Sequence, residues 1–480
     1  MSISSALNNA ISGLSVNSRM AEVVSSNLSN ALTEGYARRE VDLSSANLGG
    51  KGAGVRVTGI RRVTDPVILA DRREADARTA GSKMQSDTLA RVEQAMGAPG
   101  AQTGLAARLA KVETALIDAA TDPSSPQRLG QVVTRLTELT TAFHEASTVI
   151  QRERQAADTV IADGVDQLNT DLRQVEQLNV DIARASRRGL DGAALQDERQ
   201  RVIDRIAVLV PIRTQSRPDG AVALYSSQGA TLIDGKAAQF GFQRSPTIVA
   251  DMTLQSGGLA PIMAGGSAMP DGFGNLTGGS LQAAFRLRDQ TLVSAQADLD
   301  LAAADLVARF SNPAVDPTIL AGGPGLLTDR GAPLDPADHT GLSGRLSVNA
   351  SVDIAAGGSV ARLRDGVNAT TVGPAGDATL INRLRDALQV DVAPVPGARA
   401  TTAFHRLNDL SAEWGGVRLR ADEAVAFASS RQDMMRQAET ALGVDSDVEL
   451  QELIKIEQAY AANAKLLQAV EAMMQRLTEI

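Results

Sequence analysis

The sequence predicts a mainly α fold with β-rich insertions (α+β), elongated and multi-domain. Its N- and C-terminal helices are expected to pack together as a coiled-coil-like end, followed by a helical-bundle middle and a small β or irregular outer domain. Three observations carry this. Both ends of the chain bear the same apolar seam, long stretches between them repeat with helical period, and the means of building a core is aliphatic. Of 480 residues one is Trp, three are Tyr and eight are Phe, against 42 Gly. With so few aromatics, thin helical layers are expected rather than large pockets of the kind that hold cofactors.

The first seam runs through Ile3, Leu7, Ala10, Leu14, Asn17, Ala21, Val24, Leu28 and Ala31, and the second through Leu453, Ile456, Tyr460, Asn463, Leu467, Val470, Met474 and Leu477. Steps of three and four sustained over about four heptads mark a helix that packs lengthwise on other helices. Each seam holds one Asn. A polar seam residue lowers stability but fixes register and partner number, so Asn17 and Asn463 are the expected register devices. Residues 1–31 contain nine Ser and five Asn, with Arg19 and Glu22 as the only charges. Such uncharged flanks suit burial among neighbouring helices. Ser and Asn are poor helix formers, so this segment is expected to be largely disordered in the free monomer.

The remaining elements follow in chain order. Thr33-Glu34-Gly35 ends the first helix at a glycine. Glu40–Leu43 and Val55–Val63 alternate as strands around the turn Gly49–Gly54, which predicts a hairpin. Helix returns from 65 to 120, broken at Gly97–Gly104. Asp122-Pro123-Ser124-Ser125-Pro126 opens the longest helix, to about Arg187, with Ile161, Val165, Leu168, Leu172, Val175 and Ile182 on one face. Gly189–Gly192 turns the chain into a helix over 193–209. Period-two patterning over 211–245, with turns at 218–220 and 234–235, predicts hairpins. A glycine-rich stretch leads through Gly278-Gly279-Ser280 into a helix ending near Phe310. Residues 311–397 carry eight Pro, read as loop with short strands at 344–354 and 358–366, and are expected to form a small inserted outer domain. Helix resumes near 401, turns at Gly443 and ends in the second seam. The expected domains are therefore 1–40 with 446–480, 41–310 with 398–445, and 311–397, within the roughly two to four that the length suggests.

A formal charge of −9 opposes wrapping of a nucleic-acid backbone, which needs a dense basic face. No cysteine is present, which removes disulfides, thiolate metal sites and cysteine nucleophiles. No run of about 18 apolar residues spans a bilayer, so no membrane insertion is expected, and the N-terminal stretch lacks the pattern of a cleaved secretory signal. Export, if it occurs, is expected by another route.

Catalytic patterns are equally sparse. His144, His339 and His405 stand apart, and His144-Glu145 lacks a second His four residues on. Gly341-Leu342-Ser343-Gly344-Arg345 misses the last glycine of a nucleophile elbow. Around Gly49–Gly54, Ser45 and Gly52 occupy places where a phosphate loop needs Gly and Ser or Thr. A sugar-cleaving pair of carboxylates would need aromatic platforms, and Trp414 is the sole tryptophan. No catalysis, no cofactor and no metal are expected.

Ser26-Asn27-Leu28-Ser29-Asn30-Ala31 followed by Thr33-Glu34-Gly35-Tyr36-Ala37-Arg38 resembles the N-terminal signature of bacterial flagellar axial proteins, the rod, hook and hook-associated subunits. Glu457-Gln458-Ala459-Tyr460-Ala461-Ala462-Asn463-Ala464-Lys465 resembles their C-terminal signature. In the middle, Leu195–Arg199, the Pro218-Asp219-Gly220 strand pair and Gly278–Leu281 through Arg288–Leu292 look like the hook-associated branch. The resemblance covers about 1–310 and 400–480 and departs at 311–397. It implies a structural subunit outside the cell, at the junction of hook and filament, exported unfolded through the flagellar type III pathway. Implied partners are copies of itself in a ring, hook protein, the second junction protein, and a cytoplasmic export chaperone on the C-terminal helix. The seam residues together with Asn30, Gly35 and Tyr36 would form the assembly interface. Another axial subunit, or a secreted hydrolase on an axial scaffold, remains the alternative.

Overall fold

The computed structural model describes residues 3–48 and 51–478, and the side chains of Ile3, Ser4, Leu48, Lys51, Leu477 and Thr478 lie outside what it describes. Helix α1, Ile3–Ser29, leads into strands β1, Arg39–Leu48, and β2, Lys51–Arg62. These pair antiparallel from Arg39 opposite Arg62 to Leu48 opposite Lys51, with register shifts after Asp42 and Ser45. The hairpin is thus longer than the alternation suggested, and residues 49–50 of the expected glycine turn lie outside the described residues. Helix α2, Pro66–Met96, starts where Asp65 accepts from the backbone N–H groups of Val67 and Ile68, with Pro66 in the first turn; both are standard helix-initiating features.

Helices α3, Leu105–Thr121, and α4, Pro126–Arg187, come next. The 62 residues of α4 extend about 90 Å at 1.5 Å per residue, and α4 serves as the spine for two successive cores. Along its first half, Leu129, Leu136, Phe143 and Ile150 pack with α3 and with α7, Leu292–Phe310. Along its second half, Ile161, Leu168 and Val175 pack with α5, Ala193–Leu209, and α6, Gly279–Arg286. A meander of β3, Ile212–Ser216, β4, Val222–Ser226, β5, Thr231–Asp234, and β6, Lys236–Ala237, closes this second core. A smaller sheet of β7, Phe240–Gly241, β8, Met263–Ala264, and β9, Ser267–Ala268, adjoins it. Between α6 and α7 the helix widens into a π turn over Leu287–Thr291.

Residues 311–397 do not enclose a core of their own. Leu326, Leu327, Leu342, Leu346, Leu363, Ile381 and Leu388 belong to the same cluster as α3, α4, α7 and Trp414. The segment caps the helical layer. It contains β10, Leu327–Asp329, paired with β11, Leu346–Val348, and then α8, Arg362–Asp365, and α9, Thr379–Ala387. The expected strand over 358–366 is instead loop and short helix, with α8 ending at Gly366, whose φ is 111°. Helix α10, Ala403–Thr440, returns alongside α2, and α11, Ser446–Thr478, follows.

Asp298 on α7 accepts from the indole N–H of Trp414 at 3.2 Å. Burial, with Glu413 nearby, raises its carboxyl above the usual range, and the Trp414 hydrogen bond only partly offsets this. A raised folded pKa means stability is full below the unfolded value and lost as pH rises through the folded one. Asp298→Asn keeps an acceptor for Trp414 and removes that loss. Denaturation midpoints are expected to favour the variant at pH 7 and to converge near pH 3; equal midpoints at both would show that Asp298 carries no burial penalty.

Candidate assembly interface

The two terminal helices lie side by side. At Gly13 an added Cβ would stand 2.7 Å from Asn463 Nδ2, and Asn27 Nδ2 donates to Glu449 Oε2 at 3.1 Å. Fourteen residues along α1 therefore match fourteen in the opposite direction along α11, so the pair is antiparallel. Gly13 lets the helices approach where a side chain would strike Asn463. On its other side α1 carries the hairpin, with Ser12 Oγ accepting from Val55 N at 3.3 Å.

This two-sided cover turns the buried face of α1 away from a simple seam. Ala10, Val16, Val23, Val24 and Asn27 are buried, Leu7, Leu14 and Asn17 are half-buried, and Leu28 is 36% exposed. On α11, Ile456 and Val470 are buried and Leu453, Asn463 and Leu467 half-buried, while Tyr460 and Met474 are 49% and 48% exposed. The α1–α11 contact thus uses part of each seam. Leu28, Tyr460 and Met474 remain on the outside with Leu32, Leu450, Ile454 and Leu466.

The register residue the structure displays is Asn27. Its Nδ2 donates to Arg39 O at 3.0 Å and to Glu449, and its Oδ1 accepts from Tyr36 Oη and Arg39 N, both at 2.9 Å. Both donors and two acceptor sites are filled at a side chain 1% exposed, which a buried amide requires. Asn17 Nδ2 is buried without a hydrogen-bond partner, and Asn463 stands against Gly13 at the helix contact. Asn30 closes the helix end, its Nδ2 donating to Ser26 O at 2.9 Å and its Oδ1 accepting from Thr33 Oγ1 at 3.3 Å. Gly35, with φ of 77°, brings the backbone to 2.5 Å between a would-be Cβ and Arg201 Cγ, so no other residue fits easily. Tyr36 stacks under the Arg39 guanidinium at 4.8 Å, and burial raises its hydroxyl pKa.

The network continues into the body. Asp197 on α5 receives Arg39 Nη2 and Arg62 Nε, each at 2.8 Å. Beyond it, Arg72 gathers Asp76 at 2.9 Å, Asp204 at 2.7 Å and Glu439 at 2.8 Å, while Arg73 reaches Asp204 at 2.7 Å. Burial raises the Glu439 carboxyl despite Arg72. A cavity of about 390 Å³ lies among Gly35, Tyr36, Arg72, Asp204, Glu439 and Leu442. The joint between terminal pair and body is therefore polar, unlike the two apolar cores beside it. Asn27 and Asp197 both stood inside the recognised sequence motifs; Glu449 had no such signal.

Among the described residues no group of three or more His, Cys, Asp or Glu side chains could hold a metal, and no helix is long and apolar enough to cross a membrane. The surface offers helix faces and a polar joint, which suits association.

Residues 89–316 match the family described as the helical domain of flagellar hook-associated protein FlgK. Residues 435–480 match the C-terminal family of the flagellar basal body rod FlgEFG proteins. Among curated relatives, flagellar hook-associated protein 1 of Escherichia coli K12 is 24% identical over 247 residues, and that of Salmonella typhimurium LT2 is 25% identical over 247 residues. Each match takes in 49% of this chain and 44% of the relative, so the chain spans less than half the length of the curated relatives it matches. The solved flagellar hook junction protein FlgK from Burkholderia pseudomallei is similar at 23% identity and a TM-score of 0.45, over 54% of this chain and 46% of that one.

Proposed function

We propose that this chain, whose middle is a helical domain of the flagellar hook-associated family and whose last segment is of the flagellar rod type, is a structural subunit of the bacterial flagellum at the hook–filament junction. The observation that carries this is the conjunction of that domain with an α1–α11 pair that leaves Leu28, Tyr460 and Met474 outside. The terminal pair packs as a layer of a tubular assembly, where burial of each large aliphatic contributes about 1.5–3 kcal/mol. Copies of itself in a ring, hook protein and the second junction protein are the neighbours, and a cytoplasmic chaperone holds α11 before export. The role is structural, with no catalytic step. Antibody labelling of isolated flagella tests it: one band between hook and filament is expected. Label along the whole hook or filament would instead favour another axial subunit, a reading the rod-type segment supports equally.

A further inference from the structure

Helix α10 has two unlike faces. One side meets α2: Trp414 and Ala428 are buried, Arg418 pairs with Glu93 at 2.7 Å, and Gln432 donates to Asp76 at 2.6 Å. The opposite side carries Leu419, Phe427 and Met434 at 59%, 66% and 60% exposure. Of the eight phenylalanines, Phe427 is the one exposed. An exposed aromatic beside apolar neighbours on a rigid helix is the usual anchor of a protein contact.

The charges around Phe427 say what fits. At 3.6 residues per turn, Arg420, Glu423, Phe427, Arg431 and Met434 share one stripe, and all five are exposed. The ion pairs of Arg418 and Arg436 lie on the α2 side, and those of Arg406 with Asp305 and of Glu439 with Arg72 lie toward the two ends of the helix. Glu423 and Arg431 have no ion-pair partner among the described residues. They lie four residues to either side of Phe427, one acidic and one basic, so the stripe complements itself when reversed. A two-fold axis through Phe427 sets Glu423 of one copy opposite Arg431 of the other, twice, with the two rings meeting at the centre. A parallel pairing would instead set like charges together.

We propose that two copies of this chain associate through α10 in an antiparallel pair centred on Phe427. The contact is isologous, so it closes at two and cannot propagate as a head-to-tail lattice does. It belongs to the free subunit and covers Phe427 there, and it stands apart from the junction role proposed above. One helix stripe is smaller than the roughly 1,200 Å² of a standard stable interface, so the association is weak, half-complete at about 10–100 µM.

Sedimentation equilibrium of the full chain over that range tests it. The weight-average mass is expected to rise from 50.1 kDa toward twice that value. Glu423→Arg and Arg431→Glu each weaken association at least about tenfold, by placing like charges opposite. The double variant Glu423→Arg/Arg431→Glu restores it to within about threefold, and Phe427→Ser abolishes it. All three positions are exposed, and far-UV circular dichroism verifies that each variant folds. A constant monomer mass overturns the proposal, as does a dimer that survives Phe427→Ser or a charge swap that fails to restore association, the result expected if a different protein occupies this face.

Discussion

Asn27→Leu is expected to release the terminal helix pair from the body while leaving both cores folded. The substitution is close in volume but removes four hydrogen bonds at once. Glu449, 4% exposed, is then left with Arg38 at 3.6 Å. A net hydrogen bond is worth about 1 kcal/mol, and an orphaned buried group costs about 1–3 kcal/mol or more if charged. The expected loss is about 3–4 kcal/mol, among the larger single-site effects. It should appear as local opening, because no apolar core spans the joint. Amide exchange in α11 and in 27–40 is expected to accelerate by about 100-fold or more, a factor of ten per 1.4 kcal/mol, with α4 unchanged. Adding Glu449→Gln should recover part of the loss, since the neutral side chain no longer demands a counter-charge. Unaltered exchange in α11 would mean that Asn27 does not hold the pair.

Much of this architecture could be read from residue order because its signals are local. The seams of α1 and α11, the hairpin and the helix initiated at Pro126 depend on periodicity and on caps a few residues away. Asn27 is not legible in this way; an Asn within a stripe, as at Asn17 and Asn463, is the visible pattern for a register device. Asn27 sits beside the stripe, and its decisive partner Glu449 is 422 residues distant, a separation no periodicity encodes. Leu28 fell into the seam by spacing alone, yet the hairpin covers a different side of α1 and leaves it outside. In 311–397 the proline count masked α9, although Leu380, Ile381, Leu384 and Ala387, all buried, already keep helical spacing. That those residues would join the core of α4 and α7 was not local information either.

The second large effect is expected at Arg288, in the joint between the two cores. Its side chain is fully buried and donates to Asp158 Oδ1 at 2.6 Å and to Ala260 O at 3.1 Å. The guanidinium lies 4.8 Å from the Phe285 ring and 5.5 Å from that of Phe242. Its backbone carbonyl accepts from Arg154 Nε at 3.0 Å, and Arg154, whose pKa burial pulls down to about 10, remains charged at neutral pH and reaches Val249 O at 3.1 Å. The two arginines thus fasten the 249–260 segment to α4 across the π turn. Arg288→Met preserves most of the packing volume but leaves Asp158, also fully buried, with the Ser245 N–H at 2.8 Å and no cation bonded to it. Breaking one side of a buried pair costs about 3–5 kcal/mol, whereas replacing both sides with apolar groups is often neutral. Urea denaturation should therefore show a loss of that size for Arg288→Met, and limited proteolysis should begin within 243–262. The double variant Arg288→Met/Asp158→Leu should regain more than half of the loss. By contrast, removing the exposed pair partner Arg184, 2.9 Å from Asp181, should change stability by under about 1 kcal/mol. If the double variant is no more stable than Arg288→Met alone, the cost lies in the lost anchoring of the 249–260 segment or in Asp289, whose Oδ2 also pairs with Arg288 Nη2 at 2.8 Å, rather than in Asp158.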